Sequence, residues 1–136
     1  MADAGLAILV GKPGMIPASN IRLKRAYEPA SAGDGERILV DRLWPRGVRK
    51  SALRIDEWMK DIAPSGELRA WFGHEPERWD EFQHRYRREL SDHAEMVSDL
   101  RRRARHGPVT LIYSAKDEKH NDAVVLRKAI LGRPTP

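Results

Sequence analysis

Apolar residues recur along this chain with two different periods. Val109-Thr110-Leu111-Ile112-Tyr113 and Ile38-Leu39-Val40 are short apolar runs bounded by polar residues, the pattern of strands covered on both faces. Ile21-Arg22-Leu23-Lys24-Arg25 alternates apolar and basic side chains with a strand's period of two. These are three clear strands, and Leu6–Val10 is a candidate fourth.

Between the strands the period lengthens. Trp58 and Ile62 are spaced i, i+4 in a short helix predicted over residues 55–62, which Ala63-Pro64 stops. Ser65 is placed to cap a helix over residues 67–72, and Gly73 to end it. After Pro76, the residues Trp79, Phe82, Tyr86, Leu90, Ala94, Val97, Leu100 and Ala104 recur at steps of three and four. Ser91-Asp92-His93 allows that long pattern to divide into two helices, and Gly107-Pro108 ends it. Asn121 is suited to cap a last helix running to Leu131, with Gly132 closing it.

Strands separated by helices call for crossover connections. The expected fold is a small α/β three-layer sandwich, a mainly parallel sheet of three to four strands flanked by helices. Residues 21–136 would form a single domain. Residues 1–20, rich in small and turn-forming residues, are expected to be a loose N-terminal tail.

Composition narrows the chemistry. At 136 residues and 40% hydrophobic, the chain suffices for one core burying about two-thirds of its extended surface. The complete lack of cysteine excludes disulfides, thiolate metal sites and cysteine nucleophiles, and it accords with a reducing compartment. No apolar run reaches the length of a membrane span, and Leu6–Val10 is too brief for a signal-peptide core. A cytoplasmic protein with no membrane partner is expected. Neither phosphate-loop nor dinucleotide spacing occurs, the five histidines show no metal-ligand spacing, and no cofactor or metal is expected.

The net charge of +5 is unevenly placed. From Arg42 through Arg54 there are five basic residues (Arg42, Arg46, Arg49, Lys50, Arg54) and no acid. This patch begins where the apolar run Ile38–Val40 meets Trp44-Pro45-Arg46-Gly47. Pro45 lacks the N–H a central strand needs, and Gly47 permits a sharp turn. Arg42 and Arg46 therefore stand at a strand exit, where open α/β sheets place ligands. A guanidinium presents paired donors to phosphate or carboxylate oxygens, and the neighbouring Trp44 indole can hold one in place by stacking. Arg69 and Lys60 would add charge, and Ser65 and Asn121 uncharged contacts. The loop Ser114–Asn121 leaves a buried strand and should open at the same edge, making Asp117 the candidate general base. Asp41 is expected to lock an arginine. By contrast, Arg101–Arg105 reads as a solvated helix face, with Asp99 spaced to pair with Arg102 and Arg103.

In Arg22–Tyr27, Val40–Gly47, Trp58–Ser65, Leu68–His74, Leu111–Tyr113 and the positions of Asp117, Asn121 and Ala123, the chain resembles the YeaO-like branch of the domain of unknown function 488 family. The resemblance spans residues 21–131 and brings no established activity. More distant members carry a cysteine after the last strand and Cys-His-Arg opening the final helix. Here Tyr113 or Ser114, and Asn121-Asp122-Ala123, stand in those places, so thiol or metal chemistry does not carry over.

The functional expectation is an anionic, phosphate-bearing small molecule bound at the strand ends, with or without catalysis. The competing reading is a nucleic-acid-binding or regulatory module using the Arg42–Arg54 patch, and a third is a protein-contact scaffold. The oligomeric state has no signature in the sequence.

Overall fold

A computed structural model describes residues 16–135. The strands are β1 (Ile21–Arg25), β2 (Glu36–Leu39), β3 (Glu57–Trp58) and β4 (Val109–Tyr113). The helices are α1 (Lys50–Leu53), α2 (Gly66–Phe72), α3 (Trp79–Ser91), α4 (Ala94–His106) and α5 (Asp122–Ile130). The sheet order is β1-β4-β2-β3 with every pairing parallel. This is the small α/β fold the pattern predicts. The candidate strand Leu6–Val10 lies outside the described residues.

β4 is central and all five of its residues are buried. Ile21 to Arg25 pair with Val109 to Tyr113 on one side, and Glu36 to Leu39 pair with Val109 to Ile112 on the other. Because side chains alternate along a strand, the two central strands feed two separate cores. Ile38, Val40, Val109, Leu111 and Tyr113 meet α2 to α5 in the main core. Leu39 and Ile112 face the other way, against Leu53 of α1, Trp44, Val48, Ile55 and Trp58. That second layer is thin, and buried polar groups complete it. Arg37 donates to the Leu53 carbonyl at 2.7 and 3.1 Å and to Asp34 at 2.6 Å. Thr110 Oγ1 donates to the Asp34 carbonyl at 2.6 Å.

The link from β1 to β2 must cross the end of β4. It does so tightly at Gly35, whose φ is +64° and where any Cβ would collide with the Pro108 carbonyl.

The helix predicted over residues 55–62 is corrected. Glu57–Trp58 is instead the edge strand β3, followed by a 3-10 turn over Lys60–Ile62. Asp56 N–H donates to the Arg37 carbonyl at 2.7 Å and Met59 N–H to the Leu39 carbonyl at 2.9 Å, tying this segment to β2. Trp58 and Ile62 go to opposite cores, which one helix face could not supply. Ser65 and Asn121 do cap α2 and α5, accepting from the N–H groups of Leu68 and Val124 at 3.1 Å. The long pattern divides at Asp92-His93, and Ala94 at the start of α4 is exposed rather than inward.

Residues 16–20 are joined to the body. Asn20 Nδ2 donates to the Ala104 carbonyl at 2.6 Å, and Arg127 Nη2 to that of Ala18 at 2.9 Å. Among the described residues, no helix is long and apolar enough to cross a membrane.

Candidate functional site

β2 and β4 end side by side, and the loops leaving them frame a cleft of about 460 Å³. The loop after β2 is held firmly at several points. Trp58 Nε1 donates to the Asp41 carbonyl at 2.8 Å, and Trp44 Nε1 to that of Val48 at 2.6 Å. Tyr27 Oη donates to the Arg46 carbonyl at 3.0 Å. Pro45 is buried, and Gly47 takes φ +78° to turn the chain away. The Trp44 indole meets Trp58 edge-on at 5.4 Å, so it serves the second core as well as the cleft wall.

Arg42, Arg46 and Arg69 all line this cleft. Arg42 is half-buried over the start of α2, where among the described residues it makes only long contacts to the Pro64 and Ala63 carbonyls, at 3.3 and 3.4 Å. Arg46 and Arg69 are exposed. Among the described residues, none of the three pairs with a carboxylate within 4.0 Å.

Asn121 also lines the cleft but is buried, with both ends of its amide engaged. Its Oδ1 caps α5 and its Nδ2 donates to the Asp117 carbonyl at 2.9 Å. Asp117 lies outside the cleft lining. Its Oδ1 accepts from the N–H groups of Lys119 and His120 at 2.9 and 3.0 Å, and its Oδ2 meets His120 Nδ1 at 2.8 Å. The Lys119 bond, followed by those of His120, lowers the Asp117 pKa. Its influence on the cleft runs through His120, which lines it and stands edge-on to Trp79 at 5.1 Å.

Lys60 and Ser65 sit elsewhere. Lys60 Nζ lies 4.1 Å from the centre of the Trp58 ring, a cation–π contact. The Ser65 N–H and Oγ both hold Glu89, at 2.8 and 2.6 Å. The start of α2 thus already has an anion, supplied by α3.

Asp41 is not locked to an arginine. Its Oδ2 accepts from Ser114 N–H at 2.9 Å and from Ser114 Oγ at 2.7 Å. Asp122, at the start of α5, lines the same cleft as Asp41. Burial first, and then the charge of Asp41, push the Asp122 carboxyl well above the ordinary carboxylate range. Three guanidinium groups, Arg42, Arg46 and Arg69, thus face two carboxyl groups, Asp41 and Asp122, in the cleft lining.

Sequence reasoning did not nominate Asp122, His120, His74, Tyr27 or Leu43, all of which line the cleft. One local signal was available, the Asp117-x-x-His120 spacing within a single loop. Nothing local brings Tyr27 to Arg46 or Asp122 to Asp41.

Comparison with known proteins adds the family. A family model described as the inactive DUF488-N3 subclade matches residues 20–134. The uncharacterised protein YeaO of Escherichia coli is 49% identical over 107 residues, covering 79% of this chain and 93% of its own. An uncharacterised protein of Mycobacterium tuberculosis is 42% identical over 119 residues, 88% of this chain and all of its own. No solved structure matches the chain significantly. The matched length and these identities show that the chain belongs to the DUF488 family, in the subclade described as inactive.

Proposed function

We propose that this protein binds a phosphate-bearing small molecule in the cleft at the ends of β2 and β4, and that it holds this ligand without turning it over. The observation that carries the reading is three guanidinium groups, Arg42, Arg46 and Arg69, lining one cleft without a carboxylate partner among the described residues. Clustered like charges that lack internal partners are stabilised by a bound anion, and the guanidinium fork suits phosphate oxygens.

Two engaged groups support binding without turnover: the candidate general base Asp117, and Ser114 at the cleft wall. Asp117 is satisfied within its own loop, and the Ser114 hydroxyl donates to Asp41. The family's description as an inactive subclade points the same way. A cytoplasmic setting, favoured by the cysteine-free composition, belongs to the same proposal.

One observation favours a second reading. Arg46, Arg49, Lys50 and Arg54 are all exposed, as a nucleic-acid-binding strip would be. Calorimetric titration with inorganic phosphate, and separately with an oligonucleotide, at several salt concentrations separates the two. Saturable phosphate binding with a modest salt dependence supports the cleft. Oligonucleotide binding that weakens steeply with salt, without phosphate binding, supports the strip.

A further inference from the structure

We propose that the ligand of the cleft is a phosphate ester whose organic part is a planar ring, seated at the rim against Tyr27 and Leu43. This rests on the anion reading above and extends it from the charged end of the ligand to the rest.

Among the described residues, the large hydrophobic side chains left exposed are Tyr27, at 48%, and Leu43, at 60%. Both line this one cleft. The other large apolar side chains are wholly or partly buried in the two cores, so the exposure is concentrated where the unpaired arginines are. Isolated exposed apolar residues are ordinary on a protein surface, but two that share a cleft with an anion site form an amphipathic pocket.

Tyr27 is also braced before any ligand arrives. Its hydroxyl is tied to the Arg46 carbonyl, and the Arg25 guanidinium lies 5.0 Å from its ring centre. Arg25 is itself fixed by the carbonyls of Ala115 and Ser114, at 2.8 and 3.3 Å. An aromatic side chain held in this way loses little further freedom when a second ring packs on it.

Size supports the same conclusion. A cavity of about 460 Å³ falls within the range of sites that enclose drug-sized molecules, about 300–1,000 Å³. A bare phosphate occupies only a small part of such a space. The Tyr27–Arg46 hydrogen bond also sets the ring platform next to the anion site, so ring and phosphate belong to one compact molecule, such as an aryl phosphate or a nucleoside monophosphate.

The test is calorimetric titration of the full chain with four probes: inorganic phosphate, glycerol phosphate, phenyl phosphate and adenosine monophosphate. At least one ring-bearing ester should bind about tenfold or more tightly than glycerol phosphate, a difference of about 1.4 kcal/mol. Leu43→Ser should erase most of that advantage while retaining the parent's affinity for inorganic phosphate. The change is on an exposed side chain, so folding is preserved; Tyr27→Ala, checked by circular dichroism, is the companion. Ring-bearing esters that bind no better than glycerol phosphate, or an advantage that survives Leu43→Ser, would overturn the ring site and leave the anion site standing. Failure of all four probes to bind would remove the anion reading and this inference with it.

Discussion

Ser114 donates twice to a single oxygen of Asp41, from its backbone N–H at 2.9 Å and its hydroxyl at 2.7 Å. The two residues follow the ends of β4 and β2, so this pair closes the sheet edge on which the cleft is built. Hydrogen bonds to a charged acceptor are stronger than neutral ones, about 1.5–3 kcal/mol each. Ser114→Ala should therefore lose about 1.5–3 kcal/mol in urea denaturation, the worth of the one bond removed, because the backbone bond remains. No measurable loss would mean that the pair does not secure the strand ends.

Asp122 supplies a pH dependence with a definite sign. Its carboxyl is pushed above the ordinary value of 3.8, so its contribution to stability is complete below that value. The contribution is lost as pH rises through the folded-state value. The parent's melting temperature should thus fall over that rise, and Asp122→Asn should flatten the fall. Sulfate, whose charge is constant in this range, should bind the parent more weakly as the second carboxylate appears in the cleft. Parallel melting curves for parent and variant would contradict the assignment.

The buried Asp34 works in the opposite sense. Burial opposes its charge, but hydrogen bonds from Lys24, Ser31 and Arg37 outweigh burial and hold the carboxyl well below the ordinary carboxylate range. Its contribution is present above the ordinary value and lost as pH falls through the folded one. Arg37→Met strips one of its buried partners and leaves the Leu53 carbonyl without its donors. The expected loss is about 3–5 kcal/mol by denaturant titration, with acid unfolding shifted to higher pH. A loss below about 1 kcal/mol would show that water replaces the arginine.

Phe82 stacks on Phe72 at 4.4 Å and is buried in the main core, although its edge reaches the cleft. Phe82→Ala should cost about 3–5 kcal/mol of stability. A cost under about 1 kcal/mol would make it a binding surface instead of a core residue.

Much of the scaffold was legible because its signals are local. The apolar runs Ile38–Val40 and Val109–Tyr113 are central strands, Ser65 and Asn121 are caps, and Asp92-His93 is a break. β3 was not legible, because two paired residues carry no period and the Trp58–Ile62 spacing suits a helix equally well. The site divides in the same way. Pro45 and Gly47 mark a strand exit from sequence alone, which is why Arg42 and Arg46 could be nominated. The partners of Ser65 and Lys60 are set by packing: Glu89 arrives from α3, and Lys60 turns onto Trp58 once that segment is a strand. The Asp41–Asp122 pair and the place of Tyr27 depend on contacts between distant parts of the chain, which no spacing rule reports.

Arg46 gives the most direct test of anion binding. Its side chain is exposed and without an ion pair among the described residues, so Arg46→Met should leave the fold intact or slightly stabilised. The measurement is thermal denaturation of parent and variant with and without inorganic phosphate. A ligand that binds only the folded state raises its melting temperature, and the rise grows with the logarithm of ligand concentration above its Kd. Phosphate should raise the parent's melting temperature clearly and the variant's much less. Equal phosphate responses in the two proteins, or a variant that unfolds by itself, would contradict the anion site and leave Arg46 a structural residue.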